Sequence, residues 1–279
     1  MSDQPATTSA TLHGTKRPSH LASLASAASM RLEMLPFLFA PAAGRFVIVT
    51  GADSTHYSSL CQFFSSALVH EANTKIVAFD QGLTATEREE LHQKFPAVEL
   101  RAFDFAMYPS YFNIKVLAGE YAWKPVIVAD ILEEFKGAVC WMDAGNVITK
   151  PLTSIRKIVQ AIGLYSPTSG GTVADWTHPG TLAFLHAPRE ILTARNLCGY
   201  CVAVNSEHEA AAATIRRWKE CALTKECIAP EGSSRANHRQ DQAVLTVLAH
   251  MAGLTGKMPR HRHGFRAQQD VDHAIAKPR

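Results

Sequence analysis

The stretch "CWMDAGNVITKPL", residues 140–152, places a polar turn directly after an apolar run. Residues 138–142 are apolar and follow Gly137, which is the pattern of a short, fully buried strand. Ligands of open α/β sheets bind at the carboxyl ends of the strands. Asp143 therefore either closes a turn through its own hydrogen bonds or faces a ligand, and the fragment alone leaves both interpretations open.

Strand patterns and helical patterns alternate on the amino-terminal side of this stretch. The predicted strands are "RFVIVTGADS" (45–54), "KIVAFDQGLT" (75–84) and "AVELRAFDF" (97–105), and helical spacing follows at 57–72, 84–95 and 124–135. This alternation predicts a three-layer α/β fold with a largely parallel sheet. Beyond residue 150 the pattern is less regular, so we expect a mixed sheet within a single domain.

Composition sets the limits of that domain. A chain of 279 residues with 47% hydrophobic content is able to bury one sizeable core. Residues 1–45 are rich in Ser, Thr and Ala and are expected to form a flexible or targeting segment. The folded domain is predicted for 46–254, and the Arg/His-rich residues 255–279 are expected to be a loop or tail.

Charge and hydropathy narrow the partners. The net charge of +3, with no long Lys/Arg block, does not support nucleic-acid binding as the main activity. The apolar residues 34–43 contain two prolines and are too short to cross a bilayer, so no clear membrane span is predicted. We interpret this stretch as a strap on the domain, with the remnant of a signal or anchor as the alternative.

The cysteines favour a disulfide over a metal or redox centre. Cys198 and Cys201 form a C-x-x-C pair, but a strand-like run follows it, whereas a helix follows a thioredoxin-type motif. Cys221 and Cys227 have five residues between them, which does not suit a four-cysteine zinc site. A Cys221–Cys227 disulfide is the better prediction and fits a secretory protein.

Two partial motifs leave alternatives. "VTGADSTHY" (49–57) is similar to the opening of a short-chain dehydrogenase, but it lacks the later glycines that admit a pyrophosphate. What remains is a loop, with Thr50, Gly51 and Ala52, that cradles a nucleotide. "DAGNVIT" (143–149) is similar to the first motif of haloacid-dehalogenase-type phosphatases, although Gly145 stands where those enzymes have a second acid.

A third comparison covers more of the chain. "YAWKPVIVADILEEFKGAVCWMDAGNVITKPL" (121–152) resembles the central segment of GT-A-type nucleotide-sugar glycosyltransferases, in which an apolar strand ends in Asp-x-Asp. "RNLCGYCVAVN" (195–205) is similar to their acceptor-side strand, and "NHRQDQAVLTVL" (237–248) to an Asp-Gln motif that opens a late helix. The resemblance extends over residues 46–250 and implies a GT-A-like, Rossmann-like fold.

The resemblance also implies a reaction. A sugar would pass from a nucleotide-sugar donor, with a UDP-sugar favoured, to a glycan or protein acceptor. Mn²⁺ or Mg²⁺ would neutralise the diphosphate leaving group through hard oxygen ligands. Asp143 matches the first acid of the motif and Gly145 replaces the second, so metal dependence stays open. A non-catalytic protein that binds nucleotides or sugars is the opposing interpretation.

The residues that this resemblance assigns fall into four roles. The metal ligands are Asp143 and, from the C-terminal loop, His263. The donor is bound by the loop after the first strand and by Lys124, Asp143 and Asn146. The catalytic pair, a base or sugar anchor and its neighbour, is Asp241 and Gln242. The substrate-binding residues are Asp175, Trp176, His178 and Arg239.

Overall fold

The computed structural model describes residues 20–272, with side chains from residue 25 onward. Its strands are β1 (Phe46–Ala52), β2 (Lys75–Asp80), β3 (Val98–Ala102), β4 (Ala138–Met142), β5 (Val147–Ile148), β6 (Leu164–Tyr165), β7 (Thr168–Thr172), β8 (Arg195–Leu197), β9 (Cys201–Asn205) and β10 (Phe265–Arg266). Its α-helices are α1 (His20–Met34), α2 (Tyr57–His70), α3 (Ala85–Lys94), α4 (Trp123–Phe135), α5 (Thr153–Ile162), α6 (Val173–Trp176), α7 (Pro179–Phe184), α8 (Glu209–Ala222), α9 (Lys225–Ile228) and α10 (Gln240–Met251).

One sheet organises the described residues, with the strand order β3-β2-β1-β4-β9-β6. The first four of these strands are parallel, β9 is antiparallel to β4, and β6 is antiparallel to β9. Every residue of β1, β4 and β9 is buried, as expected for strands covered on both faces. The predicted α/β fold with a mixed sheet in a single domain is confirmed.

Helices cover this sheet. Helix α8 packs on both α4 and α10, with α4 against β4 and α8 against β9. Helix α2 contacts β1, and α5 contacts β4, β6 and β9. The predicted helix start at Thr84 is a capping box, in which the Thr84 hydroxyl and the Glu87 carboxylate satisfy each other's backbone N–H groups. Local signals and buried faces therefore place the elements as the sequence pattern indicates.

The C-terminal segment, expected to be a loop or tail, lies against the turn that follows β4. Its strand β10 pairs with β5 in antiparallel register, and the Gln269 amide donates to the Gly145 carbonyl at 2.7 Å. Asp272 accepts hydrogen bonds from the Ser58 and Ser59 amides at the start of α2. These contacts consist of a two-residue strand and single hydrogen bonds. They therefore produce no periodic pattern in the sequence from which they could be predicted.

The amino-terminal segment was expected to be flexible or targeting. Residues 1–19 lie outside the described region, and α1 begins at His20. The apolar stretch that follows packs on the domain through Phe37, which is buried, and through the Ala43 amide, which donates to the Arg156 carbonyl. Within the described region, no helix combines the length and apolarity needed to cross a membrane.

The predicted Cys221–Cys227 disulfide is confirmed. It joins the end of α8 to α9, with a Cα–Cα separation of 5.2 Å. Cys61, Cys140, Cys198 and Cys201 are free, so the C-x-x-C pair is not a disulfide.

This disulfide gives a direct chemical prediction. Protein made in an oxidising compartment, denatured and alkylated without reductant, should gain label on the four free cysteines and on no others. Reduction before alkylation should add label at Cys221 and Cys227, which intact mass and peptide mapping detect. Six labelled cysteines without reductant would contradict the bridge.

Candidate active site

A cavity of about 430 Å³ opens at the carboxyl ends of β1 and β4. We call it the Asp143 cavity. Parallel strands present their carboxyl ends to this edge, where α/β proteins bind ligands. Its wall includes Gly51, Ala52, Asp53, His56, Lys124, Asp143, Asn146, Tyr200, Gln268 and Asp270. Of the predicted donor residues, only Thr50 is absent from the wall, because it points into the core and is fully buried.

A buried ion cluster forms the floor of the site. Lys124 Nζ lies 3.0 Å from Asp143 Oδ1 and 3.1 Å from Asp241 Oδ2, and it donates a hydrogen bond to the Gly199 carbonyl. The side chains of Lys124 and Asp241 are 3% and 4% exposed, whereas that of Asp143 is 41% exposed. One cation thus joins α4, the end of β4 and the start of α10, and only Asp143 faces solvent.

Burial and charge pairing act in opposite directions on the two buried members of this cluster, Lys124 and Asp241. Burial alone would lower the pKa of Lys124, but the carboxylates of Asp143 and Asp241 outweigh it and raise that pKa overall. Burial raises the pKa of Asp241, and the Lys124 ammonium opposes that rise. Lys124 also lies within 6 Å of the ring centroids of Tyr121, Trp123 and Trp141, at 5.8, 5.7 and 5.6 Å.

The turn after β4 does not use the Asp143 side chain. The Asn146 amide closes the turn by donating to the Asp143 backbone carbonyl. Asp143 Oδ1 instead accepts a hydrogen bond of 2.6 Å from Trp141 Nε1 and pairs with Lys124. Within the described residues, Asp143 Oδ2 forms no hydrogen bond. The carboxylate is therefore oriented by two neighbours and keeps one oxygen free toward the cavity.

Gly145 makes room for an acid that the sequence interpretation missed. A Cβ atom on Gly145 would lie 2.4 Å from both carboxylate oxygens of Asp270. The carboxylate of Asp270 thus occupies the space beside the turn that a side chain at 145 would fill. In the part of the chain that is described, it forms no hydrogen bond or ion pair. Gly145 was the only signal in the sequence, and nothing in the spacing pointed to residue 270.

Asn146 and the loop after β1 complete the polar wall. Asn146 is 1% exposed, donates to the Tyr200 carbonyl at 2.8 Å, and leaves its own Oδ1 without a partner. Asp53 Oδ1 accepts from the Thr55 amide and hydroxyl and lies 3.1 Å from His56 Nδ1. The hydrogen bond to Asp53 raises the pKa of His56, burial opposes it, and the charge of Asp270 adds to the rise.

A strained turn, Leu117–Tyr121, forms part of the wall of the Asp143 cavity. All residues of Leu117–Tyr121 have φ between 48° and 61°, the left-handed region that costs about 1–2 kcal/mol per L-residue. Gly119 is required within it, because a Cβ there would lie 2.3 Å from the Phe112 carbonyl oxygen. The turn places Ala118 and Tyr121 in the cavity wall and ends at α4, just before Lys124. Backbone strain of this kind concentrates at functional sites.

A second cavity of about 670 Å³ adjoins the first, and we call it the Trp176 cavity. It brings together the predicted residues Asp175, Trp176, Arg239 and Gln242. The guanidinium carbon of Arg239 lies over the Trp176 ring, 4.1 Å from its centroid. One face of that indole is therefore already covered. Tyr200 and Gln268 line both cavities and mark their junction, and neither was predicted as a site residue.

Besides Thr50, three predicted residues are not in the walls of these two cavities. The His178 ring accepts from the Gly180 amide and caps α7. The Asp241 carboxylate lies beneath the backbone of Gly199, where a Cβ would be 3.1 Å from it. His263 is buried beside Tyr165, with a ring separation of 6.0 Å, and burial lowers its pKa to about 4. Within residues 20–272, no group of three or more His, Cys, Asp and Glu side chains is arranged to hold a metal ion.

Comparisons of sequence give little. A family model described as "Protein of unknown function (DUF1647)" matches residues 39–129, and no curated protein matches the chain.

Comparisons of structure point to one fold. Core-mannan synthase A (CmsA/Ktr4) from Aspergillus fumigatus, in its Mn/GDP form, is 7% identical with a TM-score of 0.50, over 74% of this chain and 69% of that one. Galactosyltransferase LgtC, with donor and acceptor sugar analogues, is 16% identical with a TM-score of 0.45, over 76% and 72%. The WbbM bifunctional glycosyltransferase is 14% identical with a TM-score of 0.46, over 72% of this chain and 37% of its own length. At 7% identity the likeness to core-mannan synthase A concerns the fold alone, and the predicted GT-A-like fold is confirmed.

Proposed function

We propose that the chain is a glycosyltransferase that transfers a sugar from a nucleotide-sugar donor to an acceptor. The donor diphosphate would lie in the Asp143 cavity and the acceptor in the Trp176 cavity. The ion cluster of Lys124, Asp143 and Asp241 carries this proposal, because it fixes carboxylates from two elements at the ligand-binding edge of the sheet. Rigid support of this kind holds a side chain to the tolerance that a reacting centre needs.

Each member of the cluster has a separate task. The free oxygen of Asp143 would contact the donor, at a ribose hydroxyl or through a metal. Lys124 neutralises the two acids, which reduces their repulsion toward a diphosphate. The burial of Asp241 favours a positioning role, through Lys124, over the base or sugar anchor that the resemblance implies. Gln242, which follows it on α10, faces the Trp176 cavity and would contact the acceptor side.

A divalent metal fits the acids of this cavity. Asp143 and Asp270 both line it with unpaired carboxylate oxygens, and hard oxygen ligands of this kind suit Mn²⁺ or Mg²⁺. Such ions are often held by one or two carboxylates together with substrate phosphates, so two protein acids are sufficient. When bound, the metal would neutralise charge on the leaving diphosphate. We therefore replace His263 with Asp270 as the proposed partner of Asp143.

Thermal shift measurements test the donor site. UDP-sugars and GDP-sugars, each with and without Mn²⁺, should be compared with free sugars. A matching donor at a hundred times its Kd should raise Tm by roughly 5–10 °C, because a ligand that binds the folded state stabilises it by mass action. Addition of Mn²⁺ should enlarge that shift. No shift with any nucleotide sugar, combined with hydrolysis of simple phosphomonoesters, would favour the phosphatase alternative instead.

The role of Asp270 is tested in the same measurement. Asp270→Asn should remove the Mn²⁺-dependent part of the shift while leaving the Tm of the free protein near that of the wild type. Asp130→Asn removes the same charge from the exposed face of α4, together with a surface ion pair to Lys219. It is the matched control and should leave the Mn²⁺ effect unchanged. A full Mn²⁺ effect in Asp270→Asn would exclude Asp270 as a ligand.

A further inference from the structure

A third cavity, of about 990 Å³, adjoins the two already described, and we call it the arginine groove. Its wall contains the arginines Arg195, Arg260, Arg262 and Arg266, all of them exposed. They come from two distant parts of the chain, β8 and the C-terminal segment. Helix α1 forms another part of the wall through Glu33 and its neighbours.

The acidic side chains in the wall of the groove do not neutralise its arginines. In the described region, none of the four arginines forms an ion pair. The one acid in the wall, Glu33, already accepts hydrogen bonds from the Arg260 and His261 amides and lies 2.8 Å from His261 Nδ1. The groove therefore presents an excess of cationic side chains, although the whole chain has a net charge of only +3. A cleft lined by one sign of charge concentrates ligands of the opposite sign.

The groove is continuous with the proposed transfer site. It shares Ser169, Gly170, Cys198, Tyr200 and Gln268 with the Trp176 cavity. Tyr200 and Gln268 also line the Asp143 cavity. A molecule with one end in the Trp176 cavity therefore has a direct path into the groove. Its continuation would pass Tyr200 and then meet the arginines.

The rest of the wall suits a hydroxylated ligand. Hydroxyl and amide side chains from Ser26, Ser29, Thr168 and Gln269 line it together with the arginines. The apolar residues of the wall, among them Met30, Pro167 and Ala267, are outnumbered by its polar and cationic residues. The half-buried ring of Tyr200, which packs against the buried ring of Phe265 with centroids 6.2 Å apart, provides an aromatic surface for the apolar face of a sugar ring.

We propose that the acceptor of this protein is an acidic glycan, whose carboxylate or sulfate groups bind the arginine groove while its acceptor end lies in the Trp176 cavity. This inference rests on the proposed glycosyltransferase function and names the substrate class. The planar fork of arginine matches carboxylate and sulfate oxygens with two parallel hydrogen bonds. The four arginines thus select a glycan that carries negative charge, whereas the Trp176 cavity selects the sugar at its acceptor end.

Direct binding to the full chain, without donor, tests this proposal. The probes are a sulfated tetrasaccharide, a uronate tetrasaccharide and a neutral glucose tetrasaccharide, measured by calorimetry at fixed ionic strength. At least one acidic probe should bind about tenfold or more tightly than the neutral one, the scale of one or two charge-assisted hydrogen bonds. The two acidic probes distinguish sulfate from carboxylate recognition.

Charge-matched variants show where the glycan binds. Arg260→Gln/Arg262→Gln should weaken the acidic probe by about tenfold or more and reduce its salt dependence. Arg216→Gln/Arg217→Gln makes the same charge change on the exposed face of α8 and should alter affinity less than about twofold. Arg195→Gln, on the other wall of the groove, carries the same test if the first pair fails to fold.

Several results would overturn the proposal. Equal affinity for acidic and neutral probes, or equal losses in the two arginine pairs, would exclude specific recognition in the groove. Tighter binding of an oligonucleotide or an acidic peptide, lost in Arg260→Gln/Arg262→Gln, would assign the groove to that class instead. Donor-induced thermal shifts, measured independently of glycan binding, distinguish failure of this inference from failure of the proposed function. Donor binding without a preference for acidic glycans rejects this inference alone, whereas acidic-glycan binding without any donor shift rejects the proposed function.

Discussion

Lys124→Met is expected to lower the free energy of unfolding by roughly 3–5 kcal/mol, the range for removing one partner of a buried ion pair. Lys124 is the only cation paired with Asp241 among the described residues, and both side chains are almost completely buried. Methionine fills a similar volume, so the loss reflects the uncompensated Asp241 carboxylate and not a cavity. Chemical denaturation at neutral pH measures the effect directly.

A double variant is the control for this prediction. In Lys124→Met/Asp241→Asn both buried charges are absent, and replacing a buried pair by neutral groups is often close to neutral in stability. The double variant should therefore be more stable than Lys124→Met alone. If the two variants are equally unstable, the loss comes from packing around Lys124 and not from the ion cluster.

The pH dependence of Lys124→Met follows from the sign of the Asp241 shift. Burial raises the pKa of Asp241, and loss of Lys124 removes the attraction that opposes that rise. An acid whose folded-state pKa is raised destabilises the fold above its unfolded pKa, and protonation relieves the cost as the pH falls. The stability deficit of Lys124→Met should therefore narrow as the pH falls from neutrality toward the unfolded-state pKa of an aspartate, about 3.9. A deficit that widens on acidification would contradict this account.

Asp143→Asn is expected to reduce sugar transfer by roughly 100-fold or more, the scale for losing one electrostatic contact at a reacting centre. The turn after β4 should survive, because the backbone of Asp143 closes it. The Asn side chain also retains an oxygen that accepts from Trp141 Nε1. Little change in Tm is expected, since Asp143 is the exposed member of the ion cluster.

Comparison with Asp241→Asn distinguishes a residue that contacts the donor from a residue that only positions Lys124. If Asp143 touches the donor, Asp143→Asn should weaken both donor binding and turnover. Asp241→Asn leaves Asp143 in place but loosens Lys124, so it should lower stability more and donor affinity less. A stable Asp143→Asn protein with full activity would return Asp143 to a structural role.

The sequence predicts the framework of this site well. Apolar runs locate β1 and β4, because both strands are buried along their whole length. A polar cluster before an apolar run locates the start of α10. Asp143, Lys124 and Asp241 were each selected from their local motifs. The sequence does not predict their direct pairing, because it depends on how α4 and α10 each pack against α8.

Other parts of the site could not be read from local patterns. Asp270 reaches Gly145 through a C-terminal segment held by the two-residue strand β10, which has no periodic signature. Tyr200 lies at the junction of the cavities, yet in the sequence it is only one of the two residues between Cys198 and Cys201. His263 was chosen by resemblance, and the structure instead buries it beside Tyr165, a placement decided by packing.

Release of nucleoside diphosphate from nucleotide sugars by the purified full chain is the most direct test of the proposed activity. Wild-type protein, Asp143→Asn and the exposed-charge control Asp130→Asn should be assayed with UDP-sugars and GDP-sugars in the presence of Mn²⁺. We predict turnover by wild type and by the control, and a loss of roughly 100-fold or more in Asp143→Asn. Tight donor binding by wild type, with release no faster than in Asp143→Asn, would identify a non-catalytic binding protein and contradict the account.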